Sequence, residues 1–304
     1  MPSLHELREL RPYRDEPRQL PSGAPGKVGF LKLRFTRDGA RSILRELDRR
    51  TPLMAQKALY WDEALPGLPG VIMISTAGGV LQGDRNRVEI IVEDHAQAHV
   101  TTQSATKIQE MDANYATQEQ LVRVGEDGYL EYLPDATMPY RHARYVSATR
   151  LEVAASATCL YAETLTSGRK HYGTGERFAY DLLVSTVEAV RPDGRPLFTE
   201  RFVVEPQRQD PRHVGVMGPF DVFANVLLLT PPAQAARILA AVPAHAEAGG
   251  SLASGASLLP NEAGLVFKVL GHEVGPVQAR VREFWALVRQ TVLGAPIPEP
   301  LAEN

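Results

Sequence analysis

The sequence predicts a mainly β protein with a small C-terminal part of two helices. Three observations predict it. Short runs of alternating apolar and polar residues follow one another from Lys27 onward, the period of half-buried strands. Turn signals separate them at intervals of roughly ten residues. The clear helical stripes come late, near 231–246 and 275–294, so the order is not the βαβ alternation of a doubly wound fold.

Residues 1–25 mix charges with Pro2, Pro12, Pro17, Pro21 and Pro25. They read as a flexible extension with at most one helical turn around Leu4–Leu10. Ordered structure begins at KVGFLKLRF, where Leu31, Leu33 and Phe35 alternate with Lys32 and Arg34. DGARSILRELDRR (38–50) fits either a short helix or a loop followed by a strand. VIMIS, RVEIIVE, AHVTTQ, EQLVRV and YLEYL continue the strand pattern, and GEDG (125–128) marks a turn. TRLEVA, CLYAETL, RFAYDLLVSTVEAV and PLFTERFVVE follow. In RPDG (191–194), Pro192 presets φ and Gly194 is free to take positive φ, which reads as a hairpin turn.

PPAQAARILAAVPAHA (231–246) opens on prolines that suit a first helical turn and is rich in Ala and Leu. SLASGASLL (251–259) reads as a loop. GPVQARVREFWALVRQTVLG (275–294) carries one apolar stripe of Val277, Val281, Phe284, Trp285, Val288 and Val292, with Gly294 and Pro296 to stop it. The domain therefore spans 26–296, and 297–304 reads as a flexible tail.

Hydrophobic residues make up 44% of the chain and charged residues 23%, the balance of a soluble globular protein. A net charge of −3 supplies no bulk attraction to nucleic acid or anionic membrane. The single Cys159 allows neither an internal disulfide nor a Cys-based zinc knuckle. The N-terminus lacks the apolar core of a secretory signal. No run approaches the ~18 apolar residues of a spanning helix. The expectation is a cytoplasmic protein.

TAGGVLQGD (76–84) crowds three glycines into six residues. A nucleotide loop would need a lysine after the last glycine, or GxGxxG opening a helix; here Asp84 follows Gly83 and a strand follows that. A strand–turn–strand with glycines at positive φ remains. His95 and His99 would lie ~13 Å apart on one continuous strand, too far to share a metal, and read as loop histidines. Arg169, Lys170, His171 and Glu176 share a glycine-punctuated loop between strands. No GxSxG elbow occurs, and Cys159 in an apolar strand reads as an inert thiol.

The ordered series GGVLQGD, AHVTTQSATKI, YATQEQLVRVGEDGYLEYLPD, CLYAETLTSGRKHYGTGERF, LFTERF, GLVFKVLG and FWALVRQTVLG resembles the urease accessory protein family UreD, also called UreH, over Lys27 to Pro296. The resemblance implies a non-enzymatic maturation factor. Its fold would be two packed sheets in a β-helix-like body with a small helical part. Its partners would be UreF, UreG and the urease apoprotein, with dimerisation of the complex through UreF. Its cargo would be nickel, carried transiently along an internal passage, with no tightly bound cofactor.

Ni²⁺ accepts imidazole, carboxylate, carbonyl and water ligands, and weak multi-site binding allows both entry and exit. The resemblance places acids of family motifs at Asp84, Glu163 and Glu176; Asp112 and His171 are further candidates. Against these roles stand plain structural ones: Asp84 capping the amides of its turn, and Glu163 paired with Arg169 or Arg141. The alternatives in other classes are a β-scaffold hydrolase and a metal-independent interaction module.

Overall fold

A computed structural model describes residues 4–14, 27–243, the backbone of 245–246, and 250–299. The first strands are β1 (Phe30–Asp38), β2 (Arg41–Arg50), β3 (Leu53–Met54), β4 (Gly70–Ser75), β5 (Arg85–Val92) and β6 (Gln97–Thr102). Next come β7 (Thr106–Ile108), β8 (Ala116–Val124), β9 (Tyr129–Tyr132), β10 (Thr137–Pro139), β11 (Arg144–Val153) and β12 (Thr158–Thr166). The last are β13 (Leu182–Val190), β14 (Pro196–Val204), β15 (Val222–Leu229), β16 (His245–Ala246), β17 (Leu252–Leu258) and β18 (Gly264–Gly271). The α-helices are α1 (Pro232–Ala241) and α2 (Val274–Leu293).

Two sheets result. One runs β14-β13-β11-β8-β5-β1-β2; the other runs β16-β17-β18-β15-β12-β9-β6-β4-β3, with β7 and β10 beside it. From β4 to β13 the chain keeps crossing between the sheets, so β5, β8, β11 and β13 are mutually parallel, as are β4, β6, β9 and β12. Antiparallel hairpins close the ends: β1–β2 through Gly39 at φ 57°, and β13–β14 through RPDG with Gly194 at φ 87°.

The inner faces meet over Leu31, Leu33, Val88, Val122, Leu130 and Leu227, among others. The outer face of β12, β15 and β18 is apolar too, and the helices cover it. Val277, Phe284, Trp285 and Val288 of α2 and Ile238 of α1 pack on Leu160, Val226, Leu228 and Phe267, as the α2 stripe requires. Gly294 caps α2 in the left-handed conformation at φ 66°.

Four readings need correction. The expected helix 231–246 stops at Ala241, because Val242 precedes Pro243 and is driven extended; His245 and Ala246 instead pair with β17. The expected loop SLASGASLL contains strand β17, held by pairing along β18 despite its weak β propensity. Of the two readings left open for 38–50, the loop followed by a strand is the one found: a turn at Gly39 and Ala40 leads into β2. Part of the extension read as flexible is docked: residues 4–13 form two 3₁₀ turns whose Leu4 and Leu10 pack on Tyr115, Val146 and Val184, on the outer face of the first sheet. Residues 1–3 and 15–25 of the extension, and 300–304 of the expected tail, lie outside the described residues. In the expected tail, Ile297 packs against the helical layer and Pro298 accepts a hydrogen bond from Arg282.

Candidate functional site

Part of the space between the sheets is polar. Asn86, Gln120, Ser147, Thr149 and Ser185 project inward from the first sheet, and Tyr132, Tyr161 and Glu163 from the second. All of these except Thr149 line a cavity of about 180 Å³ that extends to the loops around Gly78–Val80 and Gln103–Lys107. The glycine run forms one wall of this region. Gly78 and Gly79 have φ 68° and 146°, and a Cβ on Gly79 would stand 2.6 Å from the Lys107 carbonyl oxygen. That close approach is what demands glycine there.

The walls are cross-linked. Tyr132 Oη donates to Gln120 Oε1 at 2.5 Å, Gln120 Nε2 donates to Thr149 Oγ1 at 2.8 Å, and Thr149 Oγ1 lies 3.1 Å from Tyr161 Oη. Burial pushes the Tyr132 and Tyr161 phenols far up, so they stay protonated. Ser185 Oγ donates to Glu163 Oε1 at 2.7 Å, while Glu163 Oε2 is buried without a partner. Burial pushes the Glu163 carboxyl up, and the nearby Glu200 charge adds to this against the Ser185 hydrogen bond and the proximity of the Tyr161 hydroxyl and Asn225 amide. Chemically the cavity offers neutral amide, hydroxyl and phenol oxygens, two carboxyls (Glu163 and Asp135) and the Lys107 ammonium. Oxygens of these kinds are among the ligand types that borderline divalent cations accept.

A second cavity of about 700 Å³ adjoins the first. It is mostly apolar, with Phe178, Phe202, Met217 and Phe223 in its walls and Glu200 and Lys268 among its few charged residues. Leu165 and Leu183 border both cavities.

The candidate residues are dispersed. Asp84 is fully buried, its Oδ1 accepting from the Lys27 amide at 2.8 Å and its Oδ2 from the Leu81 amide at 2.9 Å, so it holds its own turn. Glu163 pairs with Ser185 rather than with Arg169 or Arg141. Arg169 instead grips Glu176 with two bonds of 2.7 Å and lies over the rings of Tyr140 and Tyr172. The Arg169 hydrogen bonds hold the Glu176 carboxyl below the usual range. Asp112 is exposed, and its amide donates to Gln82. His171 is exposed, 3.4 Å from Glu273. Glu163 is the one of the five that lines the cavity. Among the described residues, no group of three or more His, Cys, Asp or Glu could hold a metal ion. Cys159 is buried, its thiol pushed up to about 12 by burial, unsuited to nucleophilic work.

Sequence reasoning missed a buried ionic network. Arg289 of α2 binds the carboxylate of Glu131 through Nε and Nη2, and its Nη1 reaches Asp62. Tyr129 Oη and His99 Nδ1 complete the shell of Glu131 at 2.7 and 2.9 Å. His99, read as a loop histidine, is thus buried, with its ring stacked on Trp285. The available signals were a glutamate inside YLEYL and an arginine one helical turn past Trp285, on the apolar stripe.

The family model for the UreD urease accessory protein matches residues 27–304. "Urease accessory protein UreD 2" of Brucella suis biovar 1 (strain 1330) is 52% identical over 296 residues, covering 97% of this chain and 98% of that protein. "Urease accessory protein UreD" of Yersinia enterocolitica serotype O:8 / biotype 1B is 50% identical over 297 residues, covering 96% and 91%. "Urease accessory protein UreD" of Yersinia pseudotuberculosis serotype O:1b (strain IP 31758) is 51% identical over 291 residues, covering 96% and 91%. A match of this length, on a body of two sheets with a C-terminal helix, leaves one assignment: the chain belongs to the UreD family of urease accessory proteins.

Proposed function

We propose that the protein matures urease without catalysing a reaction itself. It acts in the cytoplasm as a scaffold between UreF, UreG and the urease apoprotein, and as a conduit for nickel on its way to the urease active site. The observation that carries the conduit is the polar cavity between the sheets, with the Glu163 carboxyl in its wall. A passage through an apolar core would strip a divalent ion of its hydration at a prohibitive cost. Oxygens of amides, hydroxyls and the Glu163 and Asp135 carboxyls replace that shell piecemeal without trapping the ion. The hydrolase alternative has little to work with: Cys159 is sealed and Ser185 is bound to a carboxyl.

Glu163→Gln keeps the shape and removes the charge. In cells expressing the urease operon, we expect this variant to co-purify with UreF and apo-urease as the parent does, while urease carries several-fold less nickel per active site. Full nickel loading with intact partner binding would overturn the conduit reading. A folded parent protein that never associates with UreF or apo-urease would overturn the scaffold.

A further inference from the structure

The second sheet reaches past the edge of the first. Among the described residues, β14 pairs with β13 alone, whereas the second sheet continues from β15 through β18 and β17 to β16. Glu200 of β14 lies over β15 and β18: its Oε2 accepts from Asn225 Nδ2 at 2.7 Å, and its Oε1 is in contact with Lys268 Nζ. Strand β17 is one step further out. Directly opposed residues on adjacent strands share a face. Glu163 of β12 pairs with Asn225, Asn225 with Lys268, and Lys268 with Gly255 of β17, so Ala253, Gly255 and Ser257 continue the inner face. No residue of Leu252–Leu258 belongs to the core between the sheets. Gly255 and Ser257 are exposed, and a Cβ on Gly255 would meet nothing within 4 Å.

The space over β17 is the cavity of about 700 Å³. Phe202 and Val204 of β14 wall it on one side, and Phe223, Val266 and Leu270 form its floor with the small residues of β17. None of these five side chains is fully buried. An edge strand also turns alternate N–H and C=O groups away from its sheet. β14 is nine residues long and carries neither a lysine nor, past Pro196, a proline to blunt that edge. One end of the groove is closed, where Asn261 Nδ2 donates to the Leu197 carbonyl at 2.6 Å. The other end opens at the loop after β14, whose Val216 lines the cavity and is 45% exposed.

Stacked sheets lie about 10 Å apart, so a strand bonded to β14 would stand opposite β17 and lay alternate side chains on its small residues. The edge of a second copy of this chain does not fit, because it would bring its own second sheet against β17. The occupant is an extended segment with no sheet behind it. Beside Phe202 and Val204 its inward side chains are apolar. On the other face, the exposed Arg201 favours an acidic residue opposite. We propose that β14 and β17 form a slot for an extended segment of a partner protein, which joins the seven-stranded sheet at its β14 edge. Main-chain hydrogen bonds hold the segment, and the apolar wall selects its alternating side chains. This rests on the scaffold reading, in which UreF or apo-urease supplies the segment.

The test uses the purified full-length chain and a fluorescein-labelled heptapeptide, with valine at alternate positions and threonine and glutamate between, read by fluorescence anisotropy. The control is the same peptide N-methylated throughout, which has no amide donor. Gly255→Trp fills the slot from its floor. Gly255 lies outside the left-handed region and faces open space, so this variant should melt as the parent does, and Gly255→Ser should leave the slot open. The parent and Gly255→Ser should bind the plain peptide, while Gly255→Trp and N-methylation should each weaken binding about tenfold or more. In cells expressing the urease operon, Gly255→Trp should co-purify with several-fold less UreF or apo-urease. No binding by the parent up to about 1 mM peptide, or equal binding of the N-methylated peptide, overturns the strand slot. So does a folded Gly255→Trp that keeps the peptide affinity or keeps both partners at parental yield, and in these cases the scaffold reading stands. A parent that associates with neither partner overturns the scaffold reading and the slot with it.

Discussion

The guanidinium of Arg289 lies against the carboxylate of Glu131, Nε to Oε1 at 2.8 Å and Nη2 to Oε2 at 2.7 Å, with both side chains all but fully buried. The pair ties the C-terminal helix to strand β9. Through Asp62 and the Pro296 carbonyl, it also ties in the loop before β4 and the segment after the helix. Because both charges are desolvated, the pair does not act as a surface ion pair does. Its net contribution is small, but breaking it strands a charge.

Arg289→Ala should therefore be severe. It leaves Glu131 with only Tyr129 and His99 as partners and leaves Asp62 without its guanidinium. The expected loss is about 3–5 kcal/mol, read from urea unfolding. Arg289→Lys should recover little, because an ammonium cannot supply the planar two-bond fork. A loss below about 1 kcal/mol in Arg289→Ala would show that solvent reaches the site.

The same pair predicts an acid limb of stability. Burial alone would raise the Glu131 carboxyl, but the hydrogen bonds of His99 and Arg289 outweigh it and hold the group at about 2, against an ordinary 4.5. A folded-state value below the unfolded one means that stabilisation is complete above about 4.5 and is lost as pH falls towards 2. Urea midpoints measured at pH 7, 5, 4 and 3 should drop mainly over the last two steps. In Glu131→Gln that drop should be smaller, from a lower starting stability. Equal slopes in the two proteins would assign the acid limb to other carboxylates.

Much of this fold was legible in the chain. The two-residue alternation of Leu31, Leu33 and Phe35 and the α2 stripe through Trp285 each place a face in a core, and each face is found there. Pairing partners were not legible. Leu252–Leu258 becomes a strand because β18 offers its edge, and Val242 leaves the helix because of the proline after it; one is a non-local cause and the other a single-residue steric effect. At the site, Glu163 stood out by motif, but its neighbours did not. Asn225 and Lys268 join it only through strand register, and Glu200 only through the packing of two sheets. Arg289 and Glu131 are 158 residues apart in the chain, a separation that local pattern cannot bridge.

The docked N-terminal turns give a third prediction. Leu10 is fully buried among Leu182, Val184 and Tyr115, so Leu10→Ala should cost about 2–4 kcal/mol if the turns belong to the cooperative unit. Removing residues 1–14 would bare Tyr115 and the apolar outer face of β11 and β13, with Val146, Ala148, Leu182 and Val184. Such a patch promotes association, and light scattering should show larger particles than the parent forms. A truncated chain that stays monodisperse with an unchanged melting temperature would mean that the turns are dispensable.

Comparing Asp84 with Glu163 tests a structural acid against the one proposed to handle the ion. Its two oxygens accept from the amides of Lys27 and Leu81, and it closes the glycine run where Gly83 takes φ 77°. Neither oxygen lines the cavity. Asp84→Asn retains one good acceptor and replaces the other with a donor facing an amide, so it should cost about 1–3 kcal/mol. Asp84→Ala should cost as much or more. If Asp84 acts only by holding the turn, nickel per assembled urease should recover when the variant is stabilised elsewhere or assayed at lower temperature, because the lining of the proposed passage is unchanged. Glu163→Gln should show the opposite pattern: near-parental melting, and a nickel deficit that cooling does not repair. A deficit in Asp84→Asn that persists in a fully folded protein would give this acid a part in handling the ion.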